Sequence, residues 1–342
     1  MTNTGVQNLP THPVLVLVIA SSFVLTIHSL ILFTSMMTPG VALVAVDAER
    51  HVLKGHSGSI DSLAWSPDEK LLASGSWDGT VRLWDIASEL EQQVLSDQDK
   101  HKHILSVSWS PDGKLLAFGG WGKTVTVWDV NKKKVSQVLT EADVVLAVAW
   151  SPDGKTLATV SPSSPAGGVL QLWDLPSGKR RFSVEGHKIG NVAWSPSGST
   201  IACACAGNSV GLIDAMTGKV GRLMEGHTQQ VWTLAWSNDG KVVASGSFDT
   251  TVRLWDAATG REKAVLKGHT RRVTSVSVSA KAELLASASF DNTILWDRRR
   301  ASSVARSVGI PVSSRLRFRR AENAWLLAAL TARYGCGKPT PF

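Results

Sequence analysis

The sequence predicts an all-β fold in which small four-stranded antiparallel sheets stack radially into a β-propeller. Three recurrences predict it. Trp-Asp occurs at 84–85, 128–129, 173–174, 255–256 and 296–297, and Ile213-Asp214 fills the gap, so successive Asp residues stand 44, 45, 40, 42 and 41 residues apart. Trp-Ser-Pro occurs at 65–67, 109–111, 150–152 and 194–196, with Trp236-Ser237-Asn238 as a variant. Gly-His occurs at 55–56, 186–187, 226–227 and 268–269. Self-similarity at a fixed period of this length marks a repeat architecture.

Within each unit the reading is strand, turn, strand, turn, strand. In the first, Ile60–Trp65 alternates towards the turn cluster Ser66-Pro67-Asp68-Glu69. Leu71–Ser76 is a second strand, Asp78-Gly79 a hairpin turn and Thr80–Asp85 a third strand. A fourth run, such as Val94-Leu95 or Ala264–Lys267, precedes the next unit. A sheet of four short strands cannot bury both faces alone, so the units must stack.

These motifs resemble the WD-repeat β-propeller family, over about residues 51–297. The resemblance implies a blade held by a Trp–Ser/Thr–His–Asp hydrogen-bond chain. By motif position the first unit supplies His56, Ser74, Asp78 and Trp84, and the fifth His227, Ser245, Asp249 and Trp255. The sixth supplies His269, Ser287, Asp291 and Trp296, one residue short before the Trp. The second unit has Phe118 and Gly122 at the Ser and Asp positions. The third has Glu141 for His and an insertion at Ser161–Gly168, and the fourth has Cys203, Gly207 and Ile213 for Ser, Asp and Trp. Blades 1 and 5, with full sets, are expected to be the best ordered. His51–Lys54 matches Ala264–Lys267 and is expected to close the ring onto blade 6.

Composition agrees with a folded body: 342 residues, 43% hydrophobic and 19% charged. Three cysteines exclude a disulfide-stapled module. Three regions follow: an uncharged segment 1–40, a propeller 41–297 and a basic tail 298–342. Val14–Met37 holds 24 residues without Gly, Pro or charge. As a helix it would reach roughly 36 Å, enough to cross a bilayer. The alternative is a degenerate seventh blade, with Val41–Asp47 resembling a third strand. The tail carries nine Arg and Lys338 against Glu322 alone, leaving the rest of the chain near neutral. Residues 321–334 read as a short helix with Leu326, Leu330 and Tyr334 on one face.

No catalytic pattern emerges: no Gly-rich phosphate loop, no His-Glu-x-x-His and no nucleophile elbow. The chain reads as a non-enzyme, and no cofactor or metal is expected. His101 and His103 flank Lys102, which fits a solvated loop better than a metal site. Cys203 and Cys205 share one face of a strand and read as a buried, unreactive pair.

The resemblance implies partner binding on the top face, around the start of each first strand and the residue before each turn Asp. Those positions are Asp61, Trp77, His103, Leu105, Trp121, Leu146, Trp232, Phe248, Arg272 and Phe290. The expected function is a protein–protein interaction scaffold with a cytoplasmic propeller, membrane-tethered if 14–37 spans a bilayer. The basic tail also suits an anionic membrane surface. Two alternatives stay open: an RNA-associated factor using the Arg-rich tail, and a substrate-targeting or regulatory subunit of an enzyme complex. Nucleic acid is the less favoured partner, because no aromatic interleaving accompanies the Arg residues.

Overall fold

The computed structural model describes residues 53–96, 103–164, 167–184, 190–205, 208–279, 283–291, 293–307, 316–318 and 327–329. Six antiparallel four-stranded sheets follow one another along the chain. Blade 1 is β1 (Ile60–Trp65), β2 (Leu71–Ser76), β3 (Thr80–Asp85) and β4 (Leu90–Ser96). Blade 2 is β5 (Ile104–Trp109), β6 (Leu115–Gly120), β7 (Thr124–Asp129) and β8 (Lys134–Thr140). Blade 3 is β9 (Ala147–Trp150), β10 (Thr156–Ser164), β11 (Gly167–Asp174) and β12 (Lys179–Val184), its central hairpin lengthened by the insertion. Blade 4 is β13 (Val192–Trp194), β14 (Thr200–Cys205), β15 (Ser209–Asp214) and β16 (Val220–Met224). Blade 5 is β17 (Val231–Trp236), β18 (Val242–Ser247), β19 (Val252–Asp256) and β20 (Glu262–Leu266). Blade 6 is β21 (Val273–Val278), β22 (Leu284–Ser289), β23 (Thr293–Asp297) and β24 (Ser302–Ser307).

The core lies between blades, where the flat faces meet. Ala73, Val81, Leu83 and Leu95 of blade 1 pack on Ile104, Val107, Leu116 and Phe118 of blade 2. The same arrangement repeats at each following boundary as far as blades 5 and 6. Second strands are buried along nearly their whole length, and fourth strands are largely exposed. That is the pattern of a sheet sandwiched on both faces with one free edge.

The Trp-Ser-Pro motif does two jobs. The Ser closes the turn: Ser110 Oγ donates to Asp112 at 2.6 Å and accepts from the Leu115 amide at 2.9 Å, and Ser151 and Ser237 repeat this. The turn needs a left-handed residue, Gly113 at φ 71° in blade 2, and Glu69 adopts φ 60° at the same place in blade 1. The Trp reaches across the boundary. Trp109 Nε1 donates to the Ala64 carbonyl at 3.0 Å, Trp150 to Ser108 at 3.1 Å, Trp194 to Ala149 at 3.0 Å and Trp236 to Ala193 at 3.0 Å. Inner-strand hydroxyls add further ties: Ser62, Ser106 and Thr233 accept from the amides of Val107, Val148 and Val276. These inner strands line an axial cavity of about 210 Å³.

Closure differs from expectation. The fourth strand of blade 6 comes from Ser302–Ser307, paired with β23, where the sequence placed His51–Lys54. Leu53 instead packs on Ile60, Leu63, Leu72 and Trp84 of blade 1. A two-stranded sheet, β25 (Leu316–Phe318) with β26 (Leu327–Ala329), follows. β25 lies against β21 and β22 of blade 6 and against β1 of blade 1, between the first and last blades. Part of the 321–334 stretch read as helical is therefore strand; Leu326, Leu330 and Tyr334 fall outside the described residues. Residues 14–37 and 41–47 also lie outside them. Among the described residues no helix is long and apolar enough to cross a membrane.

Candidate protein-docking face

Each blade has two ends. Among the described residues, the Gly-His loops at 55–56, 226–227 and 268–269 and the turns between second and third strands lie at one; at the other lie the Ser-Pro turns and the turns after the Trp-Asp pairs. The first end carries the candidate residues, and a repeated distortion puts them there. The pairing of first and second strands slips by one residue between Ile60 and Ser62, Ile104 and Ser106, and Val231 and Thr233. The extra residues are Asp61, Leu105 and Trp232. A β-bulge of this kind re-aims a side chain, here to the rim. The aromatic before each turn is fixed by its own amide: Trp77 donates to Ser59 at 2.8 Å, Trp121 to His103 at 3.0 Å and Phe248 to Gln230 at 3.0 Å.

These residues gather into two clusters. Across blades 1 and 2, Trp77 Nε1 donates to Asp61 Oδ2 at 2.7 Å. The His103 imidazole meets Trp77 edge-on at 4.8 Å and Trp121 at 5.1 Å. Its Nδ1 is buried and has no hydrogen-bond partner among the described residues. Across blades 5 and 6, Trp232 stacks on Phe248 at 5.1 Å and 27°. The Arg272 guanidinium lies 4.5 Å from the Phe248 ring centre. Trp77, Trp121 and Trp232 stay 40%, 52% and 43% exposed. Leu146 belongs to neither cluster and packs against the core between blades 3 and 4. Leu105 and Phe290 are half-buried.

The hydrogen-bond chains stand beneath this rim. His56 reaches Asp78 at 2.8 Å and Ser74 at 2.7 Å, and Trp84 Nε1 donates to Ser74 at 2.8 Å. His227, Asp249, Ser245 and Trp255 repeat this at 2.7, 2.8 and 2.8 Å. The sixth set is formed too, with His269–Asp291, His269–Ser287 and Trp296–Ser287 all at 2.7 Å, despite its shortened spacing. Burial would raise these Asp carboxyls, but hydrogen bonds outweigh it. The His56 ring, Thr80 and the Ser57 amide hold Asp78 well below the usual carboxylate range. Asp291 falls to about 2 through the Thr270 amide and His269. Burial lowers His227 from its ordinary value, against the pull of Asp249.

Departures from the pattern find different solutions. In blade 3 Glu141 takes the place of His and accepts from Thr159 Oγ1 and, at 3.1 Å, from Trp173 Nε1. It is only 4% exposed, Oε2 is buried and has no partner among the described residues, and burial pushes the carboxyl up. In blade 2 Phe118 cannot accept, and the Trp128 indole N–H is buried with no partner among the described residues. Blade 4 avoids the problem, since the Ile213 side chain has no indole N–H to satisfy. Cys203 and Cys205 are buried there as free thiols, both facing Gly211, where an added Cβ would stand 2.8 Å from each sulfur. Contact with Cys205 and burial push the Cys203 thiol up. Among the described residues no group of three or more His, Cys, Asp or Glu could hold a metal ion.

A model described as "WD domain, G-beta repeat" matches residues 48–85, 92–129, 133–174, 178–214, 218–256 and 260–297, more than half of the chain. The chain belongs to the WD-repeat family. Its curated relatives match over about one repeat each. A Periodic tryptophan protein 2 homolog of Schizosaccharomyces pombe is 58% identical over 36 residues, 10% of this chain and 4% of that protein. Small ribosomal subunit protein RACK1 of Medicago sativa is 53% identical over 38 residues, 11% of this chain and 12% of that protein. The guanine nucleotide-binding protein subunit beta of Saccharomyces cerevisiae is 46% identical over 44 residues, 13% of this chain and 10% of that protein. This WD-repeat chain thus spans no more than 12% of the length of these relatives.

Sequence reading missed two features of this WD-repeat framework. The indole ties between blades join residues 42 to 45 positions apart, beyond any local motif. The ring-over-guanidinium contact of Arg272 joins two blades as well.

Proposed function

We propose that this WD-repeat propeller is a non-enzymatic scaffold that docks partner proteins on the face carrying the two aromatic clusters. The observation that carries the reading is the exposure of Trp77, Trp121 and Trp232 at one end of the ring. Exposed aromatic groups on rigid elements are the usual anchors of protein interfaces, and Trp and Arg dominate their binding energy. Strands backed by inter-blade cores hold these rings in place, so little entropy is lost on docking.

The Arg-rich tail supports a nucleic-acid role less well. Arg298 and Arg299 pair with Glu283, and Arg300 pairs with Asp297, so three of its cations are engaged by the propeller itself. The membrane tether would rest on residues 14–37 and takes no part in the proposal.

The test is capture of proteins from the native cell by the intact chain and by a folded variant with Trp77, Trp232 and Phe248 changed to Ala. A protein held by the first and lost by the second supports the docking face. Identical sets of captured proteins would overturn it.

A further inference from the structure

We infer that the cluster on blades 1 and 2 receives an arginine side chain from the docked partner. This rests on the docking-face reading above and adds the chemistry of one contact.

The two clusters share their building blocks but differ in what fills them. On blades 5 and 6 the contact is complete within the chain: Phe248 has Trp232 on one side and Arg272 at 4.5 Å. On blades 1 and 2 the Trp77 and Trp121 rings are the open surface, and among the described residues no cation stands over either indole. His103 meets both rings edge-on, at 65° and 72°, and braces them apart.

Charge at this cluster favours a cation. Trp77 donates its N–H to the Asp61 carboxylate, which fixes the indole and increases electron density on its face. Asp78 follows Trp77 directly and is kept ionised by its hydrogen bonds, despite burial. Lys123, the nearest cation in sequence to Trp121, is drawn towards Asp143 at 4.0 Å. Indole faces beside carboxylates attract cations, and a planar guanidinium suits them better than an ammonium because it can stack and donate in one pose. The protein uses that pairing itself at Arg272.

The experiment is an NMR titration of the full chain carrying ¹⁵N-labelled indoles, with N-acetyl-arginine N-methylamide as probe. The citrulline analogue, nearly identical in shape and uncharged, is the control. The expected result is that the Trp77 and Trp121 indole resonances move with arginine, at roughly two- to fivefold lower concentration than with citrulline. Trp232 should respond to neither until Arg272→Ala frees the Phe248 ring. Equal responses to the two probes, or none at Trp77 and Trp121, would overturn the inference. If the partner is still lost on changing Trp77, Trp232 and Phe248, the docking face would stand while its arginine preference fell. A shift of these resonances on dilution, or on removing residues 330–342, would assign the site to a second copy or to the chain's own tail and would overturn the partner assignment.

Discussion

Trp109 of blade 2 donates its indole N–H to the Ala64 carbonyl of blade 1, at 3.0 Å across the blade boundary. Three other boundaries carry the equivalent bond, so the Trp of Trp-Ser-Pro is an inter-blade tie as well as core volume. Replacing Trp109 by Phe keeps most of the apolar contact and removes the donor. The expected cost is about 1 kcal/mol or somewhat more, a fall of about 2–4 °C per kcal/mol in the thermal midpoint. An unchanged midpoint for Trp109→Phe and Trp194→Phe would show that the bonds contribute nothing net.

Ser245 is the hub of blade 5, bonded to both His227 and Trp255. Ser245→Ala strands two buried partners, at about 1–3 kcal/mol for each. Hydrogen exchange should show faster opening of β18 in this variant, while blade 2, whose Trp128 N–H is buried without a partner among the described residues, should barely respond to Phe118→Leu beyond its lost volume.

Glu141 gives the clearest pH signature. Its folded-state carboxyl is raised by burial, so the folded chain holds a proton that the unfolded chain has released. The penalty is fully present above the folded value and disappears as pH falls towards the ordinary glutamate value of 4.5. Glu141→Gln should therefore raise the melting temperature most on the alkaline side of the folded value, by the equivalent of about 1 kcal/mol or more. The gain should shrink as pH falls through the folded value towards the ordinary glutamate value. A gain that grows on acidification would reverse the sign and refute this account.

The short sheet β25–β26 stands between the first and last blades. Ending the chain after Ser307 removes it while leaving blade 6 four-stranded. The expected outcome is a lower melting temperature with faster exchange in β1 and β21, the two inner strands it touches. Equal stability of the shortened and full chains would assign closure to other residues.

How much was legible beforehand depends on range. Ser66-Pro67-Asp68 and Asp78-Gly79 are turns made by adjacent residues, so the strand boundaries within a blade could be read directly. The hydrogen-bond chains keep constant spacing, so their members could be named. Residues 302–307 carry no repeat signature, and their place as a fourth strand is set by backbone pairing to β23. Three-residue strands such as Leu327–Ala329 are too short for periodicity, and leucines four apart pointed to a helix instead. The grouping of Trp77, His103 and Trp121 depends on how two blades meet, which no local pattern encodes.

The most direct measurement of the docking account is site-specific photo-crosslinking in the native cell. A benzophenone side chain would replace Trp121 on the aromatic face and, separately, Met216, 77% exposed at the opposite end of blade 4. The account predicts discrete protein adducts from position 121 that vanish when Trp77 and Trp232 are changed to Ala, and none of these from position 216. Adducts from 216 alone, or adducts from 121 that survive those changes, would contradict it.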